Sequence, residues 1–223
     1  MATDSRAANQ DHIDNYRTQG PARMGIMTSH VWREDPRRVL FVLARYKFVA
    51  KMLSGFQNVL EVGCGDGFGS RIVLQEVGSV HGVDVEPAFI DNCSKENPSE
   101  RATFSLADLT RQAVTPRRDA AYALDVLEHI PPALEHAFMS NLCASLDEGG
   151  VCLLGMPSLE SQQYASEWSK MEHVNCKKGA DFKQFMRRYF RTVFLFSMND
   201  EVVHTGYSPM AQYLLCLGVG VAG

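Results

Sequence analysis

The chain has 223 residues, 45% of them hydrophobic and 22% charged, with a formal net charge of −4. That length and balance fit a single α/β domain with a small appendage, and they exclude disordered, collagen-like and disulfide-scaffold classes. A weakly acidic chain has no general electrostatic pull toward nucleic acid or an anionic membrane, and no apolar run approaches the ~20 residues that span a bilayer.

Residues 1–35 are polar, contain Gly20-Pro21, and read as a loose arm or short helical lid. Its start, Met1 to Ser5, lacks the charged and apolar regions of a signal peptide. Asp35-Pro36 then forms an N-cap with proline at the first helical position. The apolar spacing of Val39, Leu40, Leu43, Tyr46, Ala50 and Leu53 carries that helix to Ser54-Gly55. From there strands and helices alternate. Strands are expected at 58–62, 79–83, 102–106, 119–124 and 151–155, and helices at 70–77, 87–93 and 132–146. Such alternation builds a mostly parallel sheet with helices on both faces. After a polar insert at about 157–178, a helix at 181–189 and two strands, 192–198 and 212–218, are expected to close the sheet as an antiparallel pair. The six cysteines form no CxxC pair and read as small core residues, which fits a reducing, cytoplasmic setting.

The chemistry concentrates at three strand ends. The first strand runs through Glu61 into Gly63-Cys64-Gly65-Asp66-Gly67, where glycine lets the main chain turn sharply and approach a ligand. Asp84 ends the second strand, where a carboxylate can accept from both ribose hydroxyls. Asp108 ends the third, placed to accept from an adenine amino group. A dinucleotide fingerprint, G-x-G-x-x-G, fails here: its third glycine would be Phe68 or Ser70. Glu61 would also repel a pyrophosphate, whereas it suits a ligand bearing an ammonium and a sulfonium.

E-V-G-C-G-D-G-F-G at 61–69, G-V-D-V at 82–85, L-A-D-L at 106–109 and A-L-D-V-L-E-H-I-P at 123–131 resemble the class I S-adenosylmethionine-dependent methyltransferases. The L-E-H-I-P form is similar to their small-molecule branch, which includes the ubiquinone-biosynthesis O-methyltransferases. The resemblance implies a Rossmann-like, seven-stranded sheet over residues 36–223 with an N-terminal helical cap. It implies S-adenosylmethionine as cofactor, held by Glu61, Gly63, Cys64, Gly65, Asp84, Val85, Asp108, Leu109 and Leu124. Arg38, from Asp35-Pro36-Arg37-Arg38, would reach the methionine carboxylate, with Arg45 as its rival.

His129, just after the fourth strand, is the first candidate base, and His173 in the insert is the second, since histidine titrates near neutrality. Packing or cofactor-shell roles compete for both. His30, Trp32, Tyr16 and Met27 could serve a lid, though terminal packing explains them as well; Tyr164, Trp168 and His204 are weighed alike. Asp125 and Glu128 could begin a metal site, but no Asp-Asn pair follows downstream, so no metal is expected. The expected activity is O-methylation of a small-molecule hydroxyl, on a polar secondary metabolite or glycan precursor. No nucleic-acid partner is expected, and a homodimer is left open. A catalytically silent cofactor-binding subunit and N-methylation of a small amine are the alternatives.

Overall fold

The computed structural model describes residues 9–97 and 99–222; Met1 to Ser5, on which the reading of the chain's start rests, lie outside the described residues. Helices α1 (Gln10–Gln19) and α2 (Ile26–Glu34) lead into α3 (Pro36–Met52). As expected from Asp35-Pro36, the Asp35 carboxylate accepts from the Arg37 amide at 3.2 Å and proline opens the helix.

The strands are β1 (Asn58–Val62), β2 (Ser79–Asp84), β3 (Ala102–Leu106), β4 (Arg118–Leu124), β5 (Leu146–Pro157), β6 (Phe190–Asn199), β7 (Val202–His204) and β8 (Tyr213–Val221). They form one sheet in the order β3-β2-β1-β4-β5-β8-β6-β7. The first five are parallel, and β8 runs antiparallel between β5 and β6. The sheet therefore has eight strands rather than seven. The additional strand, β7, folds back on β6 through Asp200, whose φ of 51° places it in the left-handed region that aspartate tolerates. Three residues with little alternation leave no period to read.

The helices between strands are α4 (Ser70–Val73), α5 (Pro87–Glu96), α6 (Glu135–Ala144), α7 (Glu167–Glu172) and α8 (Gly179–Met186). Several differ from the expected spans. α4 is a single turn, and α6 starts late because Pro131-Pro132 first closes a 3-10 turn. β5 begins at Leu146, with its register on β4 shifted between Arg118 and Ala120.

Side chains alternate across the sheet. On one face Leu60, Ala121, Ala123, Cys152 and Leu154 pack with α6 and α8 through Phe138, Leu142, Phe182 and Met186. On the other, Val59, Tyr122, Leu153 and Leu215 pack with α3 and α4 through Val49, Leu53 and Val73. Fully burying such aliphatic or aromatic side chains stabilises by roughly 1.5–3 kcal/mol each before the entropy of ordering the chain is subtracted. The strand order reverses at β1, between β2 and β4, so a crevice opens at the carboxyl ends of those strands.

Candidate active site

The turn after β1 is shaped by glycine. Gly63 and Gly65 have φ of +74° and +53°. A Cβ on Gly63 would stand 2.3 Å from Val126 Cγ2, and one on Gly65 2.7 Å from Met27 Sδ. The loop is tied to β2: the Gly63 and Cys64 amides donate to the Val83 carbonyl, and the Gly65 amide donates to Asp84 Oδ2 at 2.9 Å. Asp84 Oδ1 accepts from the Glu86 amide at 3.0 Å. Asp108 Oδ1 accepts from the Thr110 amide and hydroxyl, and Oδ2 pairs with Arg111 at 3.1 Å.

These strand ends border a cavity of about 500 Å³, a size that suits a nucleoside-sized ligand. Gly63, Cys64, Gly65, Asp84, Val85, Asp108, Leu109, Leu124 and His129 all line it. Asp66 and Asp125 add two further carboxylates, and among the described lining residues there is no lysine or arginine. Asp108 is paired with Arg111 and Asp125 with Arg45, so Asp66 and Asp84, which have no ion pair among the described residues, are the acids that disfavour phosphate and favour a cation.

Three sequence-predicted residues lie off the lining. Arg38 is exposed on α3. Glu61 is fully buried beneath the loop, where it accepts from the Ser70 hydroxyl and faces Tyr46 and Tyr122. Burial pushes its carboxyl up to about 7, against the opposing pull of those hydroxyls. His173 stands behind His129, with ring centroids 5.1 Å apart at a steep angle. Its pKa is lowered by burial first and then by the neighbouring His129. Arg45, the rival of Arg38, is partly buried. Its Nη1 holds both oxygens of Asp125, at 2.9 and 2.7 Å, and its guanidinium sits 3.8 Å over the Tyr213 ring.

Of the lid candidates Met27, His30 and Trp32, all on α2, only Met27 lines the cavity; Thr28 and Val31, which no sequence signal singles out, line it beside Met27, and the Thr28 amide donates to Asp66 Oδ2 at 2.7 Å. The insert is pinned to the turn after β4. The Asn175 amide donates to the Glu128 carbonyl at 3.0 Å, and its side chain donates to the Ile130 carbonyl and to Glu135. Lys177 pairs with Glu135 as well. Ser158 and Lys177 join the two ends of the insert.

Residues 59–150 match the family described as Methyltransferase domain. No curated protein matches. Among solved structures, the chain is similar to one from the complex of the Haloferax volcanii Trm112 methyltransferase activator with a methyltransferase (13% identity, 89% of this chain and 99% of that one, TM-score 0.65). It is similar to the N-methyltransferase NodS from Bradyrhizobium japonicum WM9 (14%, 84% and 98%, TM-score 0.61). Magnesium protoporphyrin IX methyltransferase from Synechocystis PCC 6803 with bound SAH shares the fold too (16%, 96% and 97%, TM-score 0.59). No described helix is long and apolar enough to cross a membrane.

Proposed function

We propose that this chain, an S-adenosylmethionine-dependent methyltransferase, methylates a hydroxyl of a small-molecule acceptor. The acidic cavity, walled by α2 and ending at His129, carries the reading. The residues present fit the cofactor: Asp66 and Asp84, which have no ion pair among the described residues, complement a ligand bearing a sulfonium and an ammonium, and the volume matches a nucleoside. When bound, the cofactor supplies a methyl group on its own sulfur leaving group, so the protein mainly positions and dries the site.

Each residue's role follows from what its neighbours leave free. A carboxylate offers about four acceptor positions. Asp84 has used one on Gly65 and one on Glu86, which leaves it free to hold the ribose hydroxyls. Gly63, Cys64 and Gly65 present main chain to the methionine portion, and Val85, Leu109 and Leu124 give apolar walls to the base and sulfur. Asp108 receives the adenine amino group. Glu61 supports the loop from below rather than touching the cofactor, and exposed Arg38 is left without a part. His129 takes the acceptor's proton, with His173 behind it. Residues 1–35 act as a lid on the methyltransferase domain at 36–223, and the insert at 157–178 borders the acceptor side. Six unpaired cysteines agree with a cytoplasmic setting.

The test has two arms. Labelled cofactor incubated with metabolite pools should yield a labelled methyl ether that survives mild alkali; an alkali-labile ester or a methylated amine would overturn the hydroxyl assignment. His129→Ala should lower turnover ~10²-fold with S-adenosylhomocysteine affinity intact, as expected for loss of a proton acceptor. An equal loss of cofactor affinity would remove His129 from the acceptor side.

A further inference from the structure

The turn after β4 and the insert bring Glu128, His129 and His173 together, each offering one ligand atom, all within 4.8 Å of one another. Ligands held about 2.1 Å from a common ion lie within roughly 4.2 Å of each other, so small side-chain adjustments close the set.

A second observation points to a ligand. Glu128 is 0% exposed, and neither of its carboxylate oxygens has a hydrogen-bond partner among the described residues. A buried carboxylate is ordinarily paired or bound to metal. The Arg45 guanidinium acts on Glu128 through space, and its hydrogen bonds go to Asp125. Glu128 thus lies buried, without a hydrogen-bond partner, beside two imidazoles.

The histidines are arranged as ligands. Gln162 Oε1 lies 2.9 Å from His173 Nδ1. A carbonyl oxygen only accepts, so the proton sits on Nδ1 and the Nε2 lone pair is left for a metal, the outer-sphere pattern that orients ligating histidines. Asn175 holds this segment against the Glu128 and Ile130 carbonyls, which fixes His173 beside His129. His129 lines the cavity, so coordination positions not used by the protein face the acceptor.

We propose that Glu128, His129 and His173 bind one divalent transition-metal cation that holds the acceptor's hydroxyl oxygen. Two imidazoles and one carboxylate select manganese, iron, cobalt or zinc over magnesium and calcium. The acceptor role rests on the methyl-transfer reading above and deepens it. A hydroxyl bound to the cation gives up its proton to water more readily than a free one, so a loaded site would take over the proton-acceptor part given to His129 above; His129→Ala lowers turnover on either account, and the response to EDTA separates the two. The expectation of no metal rested on the missing Asp-Asn pair downstream of Asp125 and Glu128; the fold brings a histidine from the distant insert to that turn instead.

The experiment uses tag-free full chain, stripped with EDTA and titrated with Co²⁺ while visible d–d absorption is followed. One Co²⁺ per chain is expected. Half-buried His173→Ala, checked for folding by circular dichroism, should bind it at least tenfold more weakly, and Glu128→Gln likewise. S-adenosylhomocysteine binding by His173→Ala, read by calorimetry, should match the wild type. Turnover should disappear after EDTA and return with Mn²⁺. Absence of stoichiometric Co²⁺ binding, or wild-type Co²⁺ affinity in folded His173→Ala, would overturn the site. Turnover indifferent to EDTA would overturn its acceptor role. Failure of the unaltered chain to bind S-adenosylhomocysteine would strike the methyl-transfer reading instead, which the Co²⁺ titration does not test.

Discussion

Glu61 shows how one buried acid can set a pH response. In the unfolded chain its carboxyl titrates near the ordinary 4.5, and in the fold burial pushes it up to about 7. Between those values the native state keeps a proton that the unfolded chain has lost. The stabilisation is complete below about 4.5 and disappears as pH rises through 7. Glu61→Gln cannot ionise, so its stability should gain on the wild type from pH 5 to pH 8, by a total of about 2–4 kcal/mol in urea unfolding. Parallel curves would show that Glu61 ionises as freely in the fold as outside it. Asp84 is a different kind of residue, with a carboxylate still free toward the cavity. Asp84→Ala should weaken S-adenosylhomocysteine binding by about 1–3 kcal/mol in calorimetry, as for lost hydrogen bonds to a charged group. Residue by residue, the strand-end acids were legible because a carboxylate at the tip of a buried strand has few structural uses. Arg38 was not, because a helix rotates its side chains by position: here Arg38 faces solvent while Arg45 turns inward to Asp125.

Elements follow the same division. Strands with a strong apolar period were found nearly to the residue, as in β1 and β2. The short elements, α4 and β7, were set by turns and edges that leave no period. The turn after β1, which borders the cavity, was legible as a glycine turn at the mouth of the sheet. Its closeness to Val126 was not, since that contact belongs to two strands brought side by side. Gly63→Ala should destabilise the fold by roughly 1–3 kcal/mol from the left-handed strain alone, with further loss from the Val126 clash. Thermal melting checks it, and an unchanged melting temperature would mean that the loop relaxes freely. The insert depends on Asn175. Asn175→Ala should cost about 1–3 kcal/mol by leaving partly buried partners unsatisfied, and should speed amide exchange across 159–177 before the rest of the chain.

For the whole molecule, the mostly parallel order was implied by strand–helix alternation together with the family resemblance. The position of β8 between β5 and β6, with its direction reversed, sets the far half of the sheet. The metal-type cluster was illegible in sequence because only tertiary folding joins residues 128–129 to residue 173. The cavity is shared by the sheet, the loops and α2, so a ligand there should stabilise all of them together. Saturating S-adenosylhomocysteine at 100 times its dissociation constant should add about 2.7 kcal/mol to the unfolding free energy. Hydrogen exchange should then slow in residues 26–34 as well as in the sheet, because Met27, Thr28 and Val31 belong to the cavity wall. Protection confined to the sheet would separate α2 from the site.

Cys93 donates its thiol to the Gly65 carbonyl at 3.0 Å, and both Cys93 and Cys64 are buried against that loop. The Cys93 thiol beside it, and then burial, push the Cys64 thiol up, and reagents reach either sulfur only when the loop opens. Alkylating reagents therefore act as a clock on the glycine turn: each modification records one excursion of the loop away from α5. Occupancy of the nucleoside pocket should lengthen the interval between those excursions, so the reaction rate of two silent sulfurs reports how often the pocket floor lifts.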